Sequence, residues 1–140
     1  MEDAKPIMKF IPLTQGKVAI VDDKDFAKLS KYHWCIDSKG YAARWLPRKD
    51  GKRKVMFMHH EILKPKKGKE TDHRNGYKFD NRRCNLRRCT KGQNQMNRGR
   101  LKTNKSGFKG VSFLKTRGKF RAKIQVDHKQ IHLGFFATAA

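Results

Sequence analysis

The first half of this sequence is cut into short segments by residues that turn the chain. Ile7 to Leu13 and Lys17 to Val21 flank Thr14-Gln15-Gly16. Tyr32 to Ile36 and Tyr41 to Trp45 flank Asp37-Ser38-Lys39-Gly40, and Val55 to Met58 follows the loop Lys49 to Lys54. Glycine takes positive φ at no steric cost, and Asp or Ser bonds its own backbone two residues on, so this punctuation predicts short antiparallel strands joined by tight turns. One short helix interrupts them. Asp22-Asp23-Lys24-Asp25 offers N-capping oxygens, and a helix over about Lys24 to Lys31 is expected to follow. A chain of 140 residues has room for one modest core plus a small appended module. The apolar and aromatic residues of these strands are the expected core.

Further along, His59 to Leu63 has room for one helical turn before Pro65, and a Lys-rich loop, Lys64 to Lys69, leads to Asp72-His73. Either a short hairpin around Asn75-Gly76 or a wider loop through Asn81 then carries the chain to Leu86. Thr90 suits the N-cap of a helix over roughly Lys91 to Arg100. From Asn104 the pattern changes to alternation. Gly107 to Leu114, Lys119 to Val126 and Gln130 to Phe136 read as three strands joined at Thr116-Arg117-Gly118 and Asp127-His128. A three-stranded sheet needs cover on its apolar face. The sequence ends at Ala137-Thr138-Ala139-Ala140, where a helix could just be starting, so the sheet is expected either to pack on the first domain or to lack a truncated covering helix. The fold class is α+β, with boundaries expected at 1–57, 58–100 and 101–140.

Charge limits the partners. Lys and Arg number 35 against 12 acids, a formal charge of +23, and the imbalance is uneven. Residues 1–50 hold ten basic and seven acidic side chains, and residues 51–140 hold 25 and five. Such self-repulsion implies an anionic partner, most plausibly nucleic acid. A membrane surface fits less well, because no basic amphipathic helix of useful length stands out. Cys35, Cys84 and Cys89 form no C-x-x-C pair. Their odd number, with no secretory leader, predicts reduced thiols and a cytoplasmic location, in a bacterial or phage-infected cell. No apolar run approaches a transmembrane length.

The chemistry gathers between Thr71 and Arg98. Hydrolysis of a phosphodiester needs a base for water, a cation to neutralise charge on the phosphorane, and in-line geometry. Neutral His73 can accept a proton near pH 7, and Asp72 offers a hard carboxylate oxygen to a divalent cation. Asn94, 22 residues after Asp72 and inside the expected helix, could complete a sparse, water-rich oxygen site. Such a site suits Mg2+ or Mn2+ better than zinc, and no zinc is expected. Asn85 is placed to tie the intervening loop by side-chain-to-backbone hydrogen bonds and to orient His73.

These residues resemble the HNH endonuclease motif, especially that of phage and intron-encoded homing endonucleases. A D-H pair, a central Asn and a helix Asn stand there at such spacing. The resemblance implies a ββα-metal finger over 58–100 on the N-terminal β-rich scaffold, with Asp72 and Asn94 as metal ligands. It implies His73 as general base and Asn85 as the central asparagine. Met58-His59-His60-Glu61-Ile62 looks like the short helix that precedes the motif, so the resemblance covers most of residues 7–100. Residues 101–140 are similar to the Apetala/ERF-type DNA-binding sheet, carried by Ser106-Gly107-Phe108-Lys109-Gly110-Val111, Phe120-Arg121-Ala122-Lys123-Ile124 and His132-Leu133-Gly134-Phe135-Phe136. Together these imply an enzyme that nicks or cleaves double-stranded DNA, acting as a monomer or a dimer on the duplex.

Other residues carry plainer readings. Asn97 is the rival to Asn94, being three residues on and on nearly the same helix face, but it suits a capping or phosphate contact. Arg82, Arg83, Arg87, Arg88 and Arg98 are expected to clamp the DNA backbone. Arg117 lies beside the tail strands. Alternation puts Lys119, Arg121 and Lys123 on one face as groove contacts, opposite Phe120, Ala122 and Ile124. His59 and His60 read as packing or phosphate-facing, His33, His128 and His132 as structural or DNA-proximal, and Cys84 and Cys89 as buried or incidental thiols. The competing functions are a non-catalytic nucleic-acid-binding protein with the same fold, and a basic protein directed at RNA.

Overall fold

The computed structural model describes residues 7–126 and 129–140. The Asp127-His128 turn lies outside the described residues. The chain divides into two compact units, 1–91 and 92–140. Both are built from small antiparallel sheets, and with three short helices among the described residues the class is α+β.

In the first unit β1 (Met8–Pro12) pairs antiparallel with β2 (Val18–Asp22). Gln15 and Gly16 both take positive φ in the connecting turn, at 60° and 65°. Ala19 and Val21 are buried and alternate with the more exposed Val18 and Ile20, the period-2 pattern of a strand with one face on a core. Helix α1 (Asp23–Leu29) follows directly. Asp22 occupies the N-cap position with extended φ and ψ but makes no side-chain cap bond. Its Oδ2 instead accepts the backbone N–H of Arg83 at 2.8 Å, so a tertiary contact takes the carboxylate that local sequence would assign to capping.

A second sheet runs β3 (Cys35–Ile36), β4 (Ala42–Trp45) and β5 (Val55–Phe57). Helix α2 (Met58–Leu63) leaves β5 without a loop and ends at Lys64, which takes the left-handed conformation at φ 47°. Met58 and Ile62, four residues apart, turn one face of α2 inward. They join Ile11, Leu13, Ala19, Val21, Leu29, Trp34, Ala42 and Leu86 in one core. Full burial of each large aliphatic side chain contributes about 1.5–3 kcal/mol. Leu86 belongs to β7 (Leu86–Cys89), which pairs with β6 (Glu70–His73). One core therefore supports both the N-terminal strands and the strand pair that carries Asp72 and His73.

Helix α3 (Lys91–Asn97) opens the second unit. There β9 (Lys119–Val126) is the central strand between β8 (Val111–Leu114) and β10 (Lys129–Phe136). The register places Phe113 opposite Phe120 and Ile131 opposite Ile124, on one face. Arg121 pairs with Ser112 and Phe135, and Lys123 with His132, on the other. A bulge between His132 and Gly134 shifts the register. Lys109 Nζ donates to the carbonyls of Met96 at 2.6 Å and Arg98 at 2.5 Å, placing a cation at the C-terminal end of α3, where the helix dipole favours it.

Candidate functional site

Strand β6 buries Thr71, Asp72 and His73 together. Opposite Asp72 in the register stands Arg87, whose Nε and Nη2 both donate to Asp72 Oδ2, at 2.9 and 2.7 Å. This is a cross-strand charge pair on one face of β6. Successive strand residues point to opposite faces, so His73 turns to a different set of neighbours. Its Nε2 lies 3.2 Å from Asn81 Oδ1. Its ring meets His59 edge-on at 5.1 Å between centroids and lies 5.9 Å from Tyr41.

His59 stacks on Phe57 at 5.4 Å and meets His60 at 4.4 Å. It is buried, and among the described residues its Nδ1 has no hydrogen-bond partner. Burial, followed by the neighbouring His60 and His73, pushes the His59 pKa down to about 3. Burial also lowers His60, with Glu70 opposing. Burial lowers His73 as well, against the opposing effects of the Asn81 hydrogen bond, Asp72 and Asp80. All three imidazoles are therefore neutral near pH 7. A neutral His73 is the protonation state that can accept a proton.

The basic loop between β6 and β7 is the wider of the two expected forms, and it is tied at several points. Asn85 Oδ1 accepts the N–H of Asn75 at 3.0 Å, and Asn85 Nδ2 donates to the Asp80 carbonyl at 2.8 Å. The middle of the loop lies along β2. Ile20 N–H donates to the Phe79 carbonyl and Asn81 N–H to the Ile20 carbonyl, both at 2.8 Å. Asp80, buried, accepts from Arg82 Nε and Nη2 at 2.8 and 2.7 Å and from Asn75 Nδ2 at 3.2 Å. The Arg82 guanidinium holds the Asp80 carboxyl below its ordinary range.

Arg83 makes two 2.7 Å hydrogen bonds to the two oxygens of Asp25. Arg82, Arg83 and Arg87 thus each hold a carboxylate of the first unit, and Arg88 donates to the Leu63 carbonyl. Asn94 and Asn97 stand on α3, and Arg98 follows that helix. In the second unit Lys119, Arg121 and Lys123 share one face of β9, and the Arg117 guanidinium sits 4.6 Å from the Phe135 ring centroid. His132 meets Phe135 at 4.7 Å, and His33 is exposed. Cys84 is exposed and Cys89 buried, both as free thiols; burial raises the Cys89 pKa.

Sequence reasoning passed over Asp80 and Asn81, the two loop residues that touch most of the others. The available signal was their place: an acid and an amide in a basic loop that must satisfy its own polar groups once buried. Among the described residues no group of three or more His, Cys, Asp or Glu side chains is placed to hold a metal ion. The oxygen donors expected from sequence, a carboxylate and an amide, suit a hard cation chemically, but at Asp72 Oδ2 such a cation competes with Arg87. Among the described residues no helix is long and apolar enough to cross a membrane. No protein-family model, curated protein or solved structure matches the chain.

Proposed function

We propose that this chain is a metal-dependent DNA endonuclease of HNH type, of the homing endonuclease kind, with β6, β7 and α3 as its ββα-metal finger. The observation that carries the reading is a neutral, buried His73 at the end of a strand, beside Asp72, with the following loop closed by Asn85. That combination supplies a base of defined protonation next to a carboxylate. In this reading His73 takes the proton of the attacking water and Asn85 keeps the loop around it closed. Asp72 and Asn94 would hold Mg2+ or Mn2+, which supplies charge neutralisation at the scissile phosphate. In-line attack leaves 5′-phosphate and 3′-hydroxyl ends. One site cuts one strand, so a monomer nicks the duplex.

Binding in this reading rests on cations that meet phosphates, Arg88, Arg98, Arg117, Lys119, Arg121 and Lys123 among them. Arg82, Arg83 and Arg87 contribute through loop architecture as well, since each holds a carboxylate. A second reading, a nucleic-acid-binding protein without catalysis, is favoured by one observation: the Arg87 guanidinium on Asp72 occupies an oxygen a metal would use.

Supercoiled plasmid separates the two. With Mg2+ the expected product is open circles, lost with EDTA, and reduced at least about 100-fold in rate in His73→Ala. Salt-sensitive retardation of the plasmid without cutting under any condition would establish the second reading instead.

A further inference from the structure

Asn81 is fully buried, at 0 % exposure, in the middle of the loop between β6 and β7. Its backbone is fixed by the hydrogen bond from its N–H to the Ile20 carbonyl of β2. Its side chain is fixed by two neighbours of different kinds. Nδ2 donates to the Phe79 carbonyl at 3.2 Å, and Oδ1 lies 3.2 Å from His73 Nε2. A carbonyl oxygen can only accept. Turning the amide over would set Asn81 Oδ1 against the Phe79 oxygen and lose that bond, so the hydrogen-bond network admits one orientation. In that orientation the atom facing His73 is an acceptor. His73 Nε2 must then be the donor.

A neutral imidazole has one N–H, so the proton on Nε2 leaves the lone pair on Nδ1. The His73 ring is also packed by His59 and Tyr41, which hinder its turning to offer the other nitrogen. We propose that Asn81 is the positioning residue that fixes His73 as the Nε2–H tautomer and so presents Nδ1 as the nitrogen that takes the proton from water. This rests on the reading of His73 as general base. Asn85 acts one step further away: its Nδ2 donates to the carbonyl of Asp80, the residue just before Asn81, and so steadies the segment from which Asn81 reaches His73.

Long-range 1H–15N correlation spectra of the 15N-labelled full chain at neutral pH read the tautomer directly. The wild-type His73 ring is expected to show a protonated Nε2 and an unprotonated Nδ1. Asn81→Asp keeps an acceptor and should keep that pattern, with most of kcat in plasmid nicking. Asn81→Leu removes the acceptor and should mix the tautomers, lowering kcat about 100-fold with little change in KM. A wild-type ring protonated at Nδ1, or a folded Asn81→Leu chain with wild-type kcat, overturns the proposal. Should Asn81→Leu fail to fold, the wild-type spectrum and the Asn81→Asp chain decide. A wild-type chain that cuts nothing removes the nuclease reading, while the tautomer spectra still decide the role of Asn81.

Discussion

The two units manage their charge in opposite ways. Residues 1–91 hold eleven acids, and the structure uses them on cations: Arg83 on Asp25, Arg82 on Asp80, Arg87 on Asp72, and both Lys28 and Arg44 on Glu61. Residues 92–140 hold eleven Lys and Arg with a single acid, Asp127, so that unit has almost no means of neutralising its cations from within. Apolar burial differs in the same sense. Ile11, Val21, Leu29 and Met58 are fully enclosed in the first unit, whereas Phe113, Ile124, Ile131 and Phe136 of the second are half exposed. A basic side chain is evidence of anion binding only after its acids have been counted. By that measure the β9 face is the stronger phosphate surface and the loop arginines are first of all structural.

The largest effect should come at Gly110, in the second unit. It sits at φ +80°, its carbonyl accepts the Lys123 N–H at 2.9 Å, and a Cβ there would lie 2.4 Å from the Lys123 carbonyl oxygen. Gly110→Ala should cost about 3 kcal/mol or more, because backbone would have to move in a conformation already strained for an L side chain. Hydrogen exchange should show lost protection in β8 and β9 with the first unit unchanged. Loss of protection in both would mean that the units do not unfold separately.

Acid should act on the first unit. His59 has an ordinary pKa of 6.5 when unfolded and about 3 in the fold, so between those values the unfolded chain binds a proton the folded chain does not. Its contribution is complete above pH 6.5 and falls as pH drops toward 3, at about 1.4 kcal/mol per pH unit. His60 and His73 are lowered too and add in the same direction. Urea denaturation at pH 6.5 and 4.5 should show this loss, and His59→Phe should flatten the slope. An unchanged slope would remove His59 from the account.

A smaller loss, about 2 kcal/mol, is expected for Arg83→Met, which leaves buried Asp25 without its guanidinium; the partial exposure of Arg83 keeps the figure below that of a fully buried pair. Adding Asp25→Asn should return part of it in a double-mutant cycle. The smallest effect tests the other side of the contrast. Lys119→Gln with Lys123→Gln should flatten the dependence of DNA affinity on log salt by about 0.9 for each phosphate that is no longer neutralised, at nearly constant stability. Should Arg83→Met flatten that slope as much, the loop arginines bind phosphate directly and the contrast between the units fails.

Much of the secondary structure was legible because it is local. β9 occupies Lys119–Val126 as its alternation predicts, and β1 and α2 lie within a residue or two of their expected limits. Turn residues and apolar period act over a few positions, so a short window contains the cause. The tie made by Asn85 within its own loop is of the same range, ten residues or fewer. Asp22 and Asp25 were not legible in this way. A run of acids before an apolar segment reads as a helix start, yet these two hold Arg83, 61 and 58 residues away.

The amino-acid sequence alone determined the α+β class, the order of the strands and short helices, the strong basic charge, and the cluster of Asp72, His73, Asn85 and Asn94 as the place to look for chemistry. Only the tertiary structure decided that Asn81 is the amide against His73, that Asp80 holds Arg82, and that the loop carrying both lies along β2. The physical reason is one of range. Backbone conformation answers to neighbouring residues, whereas a buried polar atom must find whichever partner the folded chain brings to it, and burial makes the match obligatory.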